Sequence, residues 1–281
     1  MQIQFTKYHA LQNDFLVIEQ TGASLSGRRL SNIARTFCHR RTGAGADGIL
    51  VLSKARGIDY KVDIYNADGS WAEKSGNGLR IAGVHVFLKS GKRQKSDFLF
   101  RTGAGVDRVQ IGRKIKNGYL VTVDLGRPEF DTSKIPVKTS QRYMINAPLK
   151  VGTVNLPVTC LSVGNPHTVL FVDNFDFDWK ALGADLEVHK AFPNRTNVEF
   201  VKVVTPREIL VCDWERGAGA TGSSGTGAAA SACAGVMLGL VDRRCEVVFD
   251  TGSLDIHWIE KTDTIRLTGP VVHVTQGTFQ L

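Results

Sequence analysis

Two serine–glycine turns are the parts of the sequence best suited to chemistry. Their sequences are SGNG at 75–78 and SGTG at 224–227. Glycine lets backbone N–H groups approach a ligand closely, and serine is a preferred residue immediately before a helix. The unpaired N–H groups and the partial positive charge at a helix N-terminus attract anions. Each turn therefore predicts a carboxylate-binding site next to a serine hydroxyl, that of Ser75 in the first copy and Ser224 in the second.

A pair of such sites could move a proton from one side of a carbon atom to the other. Two helix starts that face each other across a cleft would hold one carboxylate from both sides. Ser75 and Ser224 would then lie on opposite faces of the bound carbon, as the two groups of a two-base racemase do. A serine hydroxyl is a weak acid, however, and needs an adjacent base. Glu73 and Lys74 precede the first serine, but neighbouring side chains on a turn generally point apart.

Each turn lies at the same place in a longer repeat of strand, polar turn and helix. The first copy begins with YNADG at 65–69 and the second with WERGAG at 214–219. Such a repeat predicts two similar lobes of about 130 residues each, which is a normal domain size. Glycine, proline and aspartate collect near 126–136, so we place the boundary there. The predicted lobes are residues 1–127 with 264–281, and residues 128–263.

Short β-branched or alternating runs predict that strands dominate the chain. Helices are fewer, and apolar residues at three- and four-residue steps place them at 31–39, 78–90 and 227–240. The last two follow directly from the serine–glycine turns, so they are predicted to be the central, apolar helices of the lobes. A final strand at 264–274 is expected to return to the first lobe. The other predicted strands are 15–18, 49–53, 60–66, 98–101, 119–125, 156–163, 168–172, 198–204 and 209–214.

Composition excludes several classes of protein. The five cysteines are widely spaced without a C-x-x-C pair, which indicates buried free thiols rather than disulfides or a zinc site. The net charge is +8, but the basic stretches lack the interleaved aromatics or helix-turn-helix signature of nucleic-acid binding. No apolar run approaches the roughly 20 residues of a membrane helix, and the first ten residues do not resemble a secretory signal. We therefore expect a cytoplasmic protein with no nucleic-acid or membrane partner.

Several ordered motifs resemble those of the diaminopimelate epimerase family. The likeness runs from the N-terminus almost to the C-terminus, and the order and spacing of the motifs are highly specific for the fold. The matching segments are HALQNDF at 9–15, RTGAGADG at 41–48, YNADGS at 65–70, SGNGLR at 75–80, GNPH at 164–167, RTNVEF at 195–200, ERGAG at 215–219 and SGTG at 224–227.

The resemblance implies an α+β fold with an amino-acid site. That fold has two pseudo-symmetric lobes, each a β-barrel-like sheet around a central helix, with the active site in the cleft between them. The family uses a pair of thiols and neither pyridoxal phosphate nor a metal, so no cofactor is expected here. The implied partner is a small amino-acid substrate resembling diaminopimelate, and a homodimer is left open.

The resemblance also implies roles for individual positions. Ser75 and Ser224 occupy the positions of the two catalytic cysteines, and His167 lies beside the catalytic centre. The positions that match binders of the distal ammonium and carboxylate of the substrate are Asn13, Asn66, Asn165, Asn197, Glu215 and Arg216. The positions that match backbone donors to the reacting carboxylate are Gly76, Asn77, Gly225 and Thr226.

The sequence departs from the family pattern at four positions. Besides the two serines, Ala220 replaces a glutamate that usually follows Gly-Ala-Gly, and Gln12 replaces a glycine in the first motif. A thiol ionises near pH 8.5, and more easily at a helix N-terminus, whereas a serine hydroxyl is a far weaker acid. We therefore predict an isomerase-type protein that binds an amino acid and has weak or absent epimerase activity on diaminopimelate.

Other interpretations stay open. The chain could be retooled for one-base isomerisation, for elimination of a β-substituent or for racemisation of a more acidic substrate, or it could be a non-catalytic amino-acid binder. The serines could also be engineered replacements that trap a substrate, although Gln12 and Ala220 favour divergence. The runner-up is a tautomerase-type enzyme of the same two-lobed fold. In that case Asp47, Asp68 or Glu215 would move the proton, if burial raised its pKa toward neutrality.

Overall fold

Two compact units make up the protein in a computed structural model. Residues 2–20, 25–91 and 95–280 are described, so residues 1, 21–24, 92–94 and 281 of the predicted lobes lie outside the described residues. Unit 1 consists of residues 1–124 and 268–281, and unit 2 of residues 125–267. The described residues form four α-helices and sixteen β-strands. The predicted α+β class is therefore confirmed.

Unit 1 is a closed ring of strands with a helix packed against them. Its elements are β1 (Gln2–Ala10), β2 (Asn13–Glu19), α1 (Gly27–Phe37), β3 (Gly48–Ser53), β4 (Tyr60–Asn66), β5 (Trp71–Ala72), α2 (Gly76–Lys89), β6 (Asp97–Thr102), β7 (Gly105–Ile115), β8 (Gly118–Gly126) and β16 (Thr264–Gln280). The strand order is β1-β2-β3-β4-β6-β7-β8-β16, and β16 also pairs with β1 to close the ring. The short strand β5 pairs with β4.

The helix α2 is apolar on nearly every side, which is typical of a buried helix. It packs against β1, β2, β3, β4 and β7, and residues 76–87 are all buried. The first helix, α1, instead buries one stripe of residues at helical spacing: Leu30, Ile33, Ala34 and Phe37. It begins four residues before the predicted start at 31, because Ser26 Oγ accepts a hydrogen bond from Arg29 N and caps the helix there.

Unit 2 is a mixed sheet that also packs on a central helix. Its elements are β9 (Ala147–Val151), β10 (Val154–Ser162), β11 (Pro166–Phe171), α3 (Trp179–Glu187), β12 (Asn197–Thr205), β13 (Glu208–Trp214), α4 (Gly225–Met237), β14 (Arg244–Phe249) and β15 (Gly252–Ile259). The strand order is β15-β14-β13-β12-β11-β10-β9. The pairs β11–β12 and β13–β14 are parallel, and the other neighbours are antiparallel.

The helix α4 consists almost entirely of small residues, with the sequence GTGAAASACAGVM. It packs against all six strands from β10 to β15, because alanine, glycine and serine side chains let the strands approach its backbone. The sequence did not predict α3, whose buried residues are Gly183, Leu186 and Glu187. Its start is fixed by Asp178 Oδ1, which accepts a hydrogen bond from Ala181 N at 3.0 Å.

The turn between β1 and β2 has two residues in the left-handed conformation, Leu11 (φ 50°) and Gln12 (φ 68°). A two-residue hairpin turn favours positive φ at both positions, and glycine adopts positive φ without steric cost. This conformation explains why the first motif of the resembling family has a glycine where this chain has Gln12. The strain matters to the site, because Asn13 directly follows the turn and pairs with Ala10.

We predict that Gln12→Gly raises the free energy of unfolding by about 0.5 to 1 kcal/mol. Relief of left-handed strain, about 1–2 kcal/mol for an ordinary residue, exceeds the extra freedom that glycine gives the unfolded chain. Urea denaturation measures the change. The matched control is Gln4→Gly, an exposed position within β1, where glycine should lower stability. A loss of stability in Gln12→Gly would contradict this account of the turn.

Candidate functional site

Ser75 is the N-cap residue of α2. Its Oγ accepts a hydrogen bond from Gly78 N at 3.0 Å, and its carbonyl oxygen accepts one from Leu79 N at 2.9 Å. These bonds use the third and fourth amides of the helix, so the helix itself provides no acceptor for the amides of Gly76 and Asn77. Both residues are buried. The start of α2 therefore offers two N–H donors in a partly desolvated place.

The Asn77 side chain connects this helix start to β2. Asn77 Nδ2 donates to Asn13 Oδ1 at 3.0 Å, and Asn13 Nδ2 donates to Asp47 Oδ2 at 2.9 Å. Asp47 also accepts hydrogen bonds from Asp14 N and Arg40 Nη2. The structure therefore brings Asn13 and Asn77 together. Because its carboxylate already accepts from three donors, Asp47 suits a positioning role better than the proton-transfer role considered above.

A buried cation supports the start of α2. Arg80 has no exposed surface. Its Nη2 donates to Asn77 Oδ1 at 2.7 Å, its Nη1 lies 3.5 Å from Gly76 O, and its Nε has no hydrogen-bond partner among the described residues. Burial lowers the pKa of Arg80 to about 9, so the guanidinium stays charged at neutral pH. This charge adds to the positive potential at the helix N-terminus.

Asn66 is the exposed last residue of β4, and Asp68 lies on the turn that follows it. Asn66 Nδ2 donates to Ser70 Oγ at 2.9 Å, so the described hydrogen bond of this side chain stays within its own turn. Asp68 accepts hydrogen bonds from the hydroxyl and the backbone amide of Ser70, and these bonds lower its pKa. The tautomerase-type hypothesis needed a raised pKa, so its use of Asp68 as a proton carrier is wrong.

Ser224 is the N-cap residue of α4 and repeats the arrangement in unit 2. Its Oγ accepts a hydrogen bond from Gly227 N at 3.1 Å, and its carbonyl oxygen accepts one from Ala228 N. The amides of Gly225 and Thr226 are again the two donors for which the helix has no acceptor. A Cβ atom on Gly227 would lie 3.0 Å from both Glu199 Oε1 and Ser224 Cβ. A side chain at Gly227 would therefore press against both Glu199 and Ser224.

A chain of polar contacts joins a buried carboxyl group to the Ser224 hydroxyl. Glu199 Oε1 lies 2.6 Å from His167 Nδ1, and His167 Nε2 lies 2.9 Å from Asn165 Oδ1. Asn165 Nδ2 donates to Thr226 Oγ1 at 3.3 Å, and that oxygen lies 3.5 Å from Ser224 Oγ. The parallel pairing of β11 with β12 sets His167 opposite Asn197, two residues from Glu199 on the same strand. The structure thus brings together four predicted site residues.

The pair of Glu199 and His167 holds a proton inside unit 2. Asn165 Oδ1 is an acceptor, so His167 Nε2 carries a proton, and one further proton lies between Nδ1 and Glu199 Oε1. Burial raises the pKa of Glu199. Its Oε2 has no hydrogen-bond partner among the described residues, which disfavours the charged form. The sequence analysis missed Glu199, although a glutamate in the middle of an apolar strand was a usable signal.

The remaining predicted binders in unit 2 lie at the ends of β12 and β13. Asn197 Oδ1 accepts a hydrogen bond from Arg216 N at 2.9 Å, so these two residues are in direct contact. Arg216 Nη1 donates to Asn194 O at 3.1 Å. Glu215 Oε1 accepts a hydrogen bond from Thr221 Oγ1 at 2.5 Å. The half-buried Glu215 carboxylate is therefore fixed from the turn that precedes α4.

Sequence reasoning also missed Asp213, which is buried on β13 directly opposite Glu199 on β12. Its Oδ2 lies 2.7 Å from Thr221 Oγ1. Burial, with a smaller contribution from the charge of Glu215, raises the pKa of Asp213 to about 7. The usable signal was an acid at an inward position of the alternating strand EILVCDW.

No cysteine occupies either helix start. All five cysteines are free, four of them are buried, and Cys233 lies within α4. Burial raises the pKa of Cys38, Cys160 and Cys245 to about 12, so these thiols stay protonated. Among the described residues, no group of three or more His, Cys, Asp and Glu side chains could hold a metal ion. No described helix is long and apolar enough to cross a membrane.

Comparisons with known proteins agree with this architecture. A family model described as diaminopimelate epimerase matches residues 5–130 and 159–274. The diaminopimelate epimerase of Caldanaerobacter subterraneus subsp. tengcongensis is 40% identical over 99% of this chain and 100% of its own. That of Carboxydothermus hydrogenoformans is 37% identical over the same shares. The solved hydroxyproline epimerase of Agrobacterium vitis has a TM-score of 0.69 at 13% identity, covering 99% of this chain and 91% of that one.

The matches to the family model and to the curated relatives define an isomerase of the racemase and epimerase class. Within that class, the chain belongs to the diaminopimelate epimerase family. The family and the enzyme class predicted from the sequence motifs are both confirmed.

We predict that Glu199→Ala lowers the free energy of unfolding by about 3–5 kcal/mol, because it removes one partner of a buried pair and opens a cavity. Glu199→Gln keeps the volume and a hydrogen-bonding group facing His167, so its cost should be about 1 kcal/mol. Urea denaturation measures both variants. The exposed Glu260→Ala is the control and should change little. Equal losses for alanine and glutamine would show that the bond to His167 contributes nothing.

Proposed function

We propose that this protein is a diaminopimelate epimerase-like isomerase that acts, without a cofactor, at the α-carbon of an amino acid. The observation that carries the proposal is the repeated helix start, in which a serine caps each helix and the helix itself has no acceptor for the amides of the next two residues, which are buried or half-buried. Membership of the family over most of the chain supports the same reaction class. The four amides of Gly76, Asn77, Gly225 and Thr226 are proposed to bind the reacting carboxylate.

Removal of an α-proton moves negative charge onto the carboxylate of the substrate. Preorganised N–H donors in a water-poor place stabilise such charge more strongly than water does. In unit 1 the buried Arg80 guanidinium adds to this effect, because it contacts both Gly76 and Asn77. The distal groups of a diaminopimelate-like substrate are proposed to bind the six polar residues Asn13, Asn66, Asn165, Asn197, Glu215 and Arg216.

The serine hydroxyls at this site are poor groups for proton transfer. We propose that Ser75 and Ser224 take the positions of the two thiols of the family. Lys74, which precedes the first serine, is bound to Asp107 Oδ1 at 2.6 Å and so cannot serve as its base. A hydroxyl without a partner base does not deprotonate a Cα–H bond efficiently. Binding of the amino acid with weak or absent epimerisation is therefore the expected behaviour.

A one-base isomerase is the second candidate, and one observation favours it. The two helix starts differ in their proton-carrying neighbours: Ser224 is linked through Thr226 and Asn165 to the pair of His167 and Glu199. The described hydrogen bond of Ser75 Oγ, in contrast, is with Gly78 N. A retooled enzyme could thus use the imidazole of His167 as its single acid–base group.

We predict that Ser75→Cys together with Ser224→Cys raises deuterium uptake at Cα of meso-diaminopimelate by about 100-fold or more, because positioned acid–base groups contribute rate factors of this size. NMR in D₂O with chiral product analysis measures the uptake. Each single substitution should give little epimerised product, since inversion by a two-base mechanism needs both members.

The matched control is the pair Ser75→Ala and Ser224→Ala, which also removes the capping hydroxyls but adds no thiol. Robust epimerisation by the unaltered protein would contradict the proposed weakness of the serines. If the unaltered protein binds meso-diaminopimelate and the double cysteine variant shows no gain in deuterium uptake, the result would favour the one-base isomerase or a non-catalytic binder. If the unaltered protein does not bind meso-diaminopimelate, the proposal that diaminopimelate is its ligand is wrong.

A further inference from the structure

We propose that Asp213 is a positioning residue whose carboxyl group carries a proton and which, through the Thr221 hydroxyl, orients the carboxylate of Glu215. We call the three side chains Asp213, Thr221 and Glu215 the relay, and their distances support it. Thr221 Oγ1 lies 2.7 Å from Asp213 Oδ2 and 2.5 Å from Glu215 Oε1. A hydroxyl carries one proton and can donate it to one acceptor. The second short contact therefore requires a proton that comes from one of the two carboxyl groups.

Burial decides which carboxyl group carries that proton. Asp213 is 2% exposed, whereas Glu215 is half-buried at the end of its strand. Burial disfavours the charged form of an acid, and it raises the pKa of Asp213 to about 7. Asp213 then donates its O–H to Thr221 Oγ1, and Thr221 donates its own proton to Glu215. Both short contacts become hydrogen bonds.

The charges around Asp213 support the same assignment. Glu199 from β12 and Glu215 from the end of β13 are the carboxyl groups that act on it. Glu199 Oε1 faces His167 from β11, and Glu199 Oε2 has no hydrogen-bond partner among the described residues, so Asp213 does not share its proton with Glu199.

The other elements packed on β13 bring no cation to Asp213. The helix α4 has no charged residue, and β14 pairs with β13 between residues 208 and 210, at the other end of the strand. Glu187 on α3 accepts a hydrogen bond from Trp214 Nε1, on the face of β13 opposite to Asp213. The charges of Asp250 and Lys180 act on Cys212, which lies on the same face as Trp214. The neighbours that act on Asp213 are therefore acidic, and they favour its neutral form.

The relay fixes Glu215, which begins the turn between β13 and α4. The backbone of Glu215 is closed onto Gly219 by hydrogen bonds of 2.8 and 2.9 Å, and the Thr221 hydroxyl holds its side chain. A neutral Asp213 lets Thr221 act as a donor toward Glu215, whereas an ionised Asp213 would compete for the same proton. Asp213 thus acts through Thr221, and its link to ligand binding rests on the function proposed for Glu215.

Carbon-13 NMR of the side-chain carboxyl groups of the whole protein, without ligand, tests the relay. We expect the Asp213 resonance to titrate near pH 7 and to be absent in Asp213→Asn, an isosteric variant that still donates to Thr221. The Glu215 resonance should titrate at the same pH in both proteins. If the proton lies on Glu215 instead, Asp213 will titrate in the ordinary acid range, and Asp213→Asn will shift the Glu215 titration strongly. That result would overturn the proposal.

The pH dependence of protein stability gives a second test of the relay, because the direction of the Asp213 contribution is fixed. The folded protein keeps the Asp213 proton up to about pH 7, whereas the unfolded chain releases it near the ordinary value of 3.8. Asp213 therefore contributes a fall in the melting temperature as the pH rises from about 4 to about 7, against the rise contributed by groups whose pKa is lowered in the folded protein, such as Glu187. Asp213→Asn should remove part of this slope. An unchanged slope in the variant would contradict a protonated Asp213.

Thr221 variants connect the relay to the ligand. Thr221→Val removes the hydroxyl at constant shape and should weaken binding of meso-diaminopimelate about tenfold, the cost of one hydrogen bond to a charged group. Thr221→Ser keeps the hydroxyl and should bind like the unaltered protein. Equal binding by the valine and serine variants would show that Thr221 does not position Glu215 for this ligand. If the unaltered protein does not bind the ligand, the proposed function fails, and the NMR titration still decides on the relay.

Discussion

The hydrogen bond from the third amide of each central helix to its N-cap serine is the interaction on which the site depends. It joins Gly78 N to Ser75 Oγ and Gly227 N to Ser224 Oγ, and such a cap contributes about 1 kcal/mol to stability. The helix itself supplies no acceptor for the first two amides, so these are the donors that each helix start can offer to a ligand. The same bond fixes the serine oxygen against its own helix, so each serine is well placed for holding the turn and poorly activated for removing a proton.

The two copies of the turn differ in the charges that surround them. In unit 1 the buried guanidinium of Arg80 lies against the first turn of α2, so that copy favours an anion. In unit 2 three carboxyl groups and one imidazole lie near the start of α4, and burial raises the pKa of both Glu199 and Asp213. The charge around the first copy is therefore positive, whereas the second copy has buried acids whose neutral form is favoured. A sequence repeat alone does not reveal this asymmetry.

The parts of the fold with a strong local signal could be predicted from the sequence. The serine–glycine turns placed the starts of α2 and α4 within two residues, because an N-cap serine and the apolar run behind it are local features. For Glu199 and Asp213 the only local signal was an acid at an inward position of an apolar strand. Their roles, like that of Arg80, come from burial and from long-range contacts that a local pattern does not contain. Asp68 was proposed as a proton carrier from its residue type, yet the turn that holds it lowers its pKa.

The central claim is that the first turns of α2 and α4 are the anion-binding parts of an amino-acid site. The most direct measurement is an NMR titration of the backbone amides with meso-diaminopimelate. We predict large shifts for Gly76, Asn77, Gly225 and Thr226 that saturate at one common ligand concentration, while the capped amides of Gly78 and Gly227 move less. Saturable binding that leaves all four amides unshifted would contradict the claim.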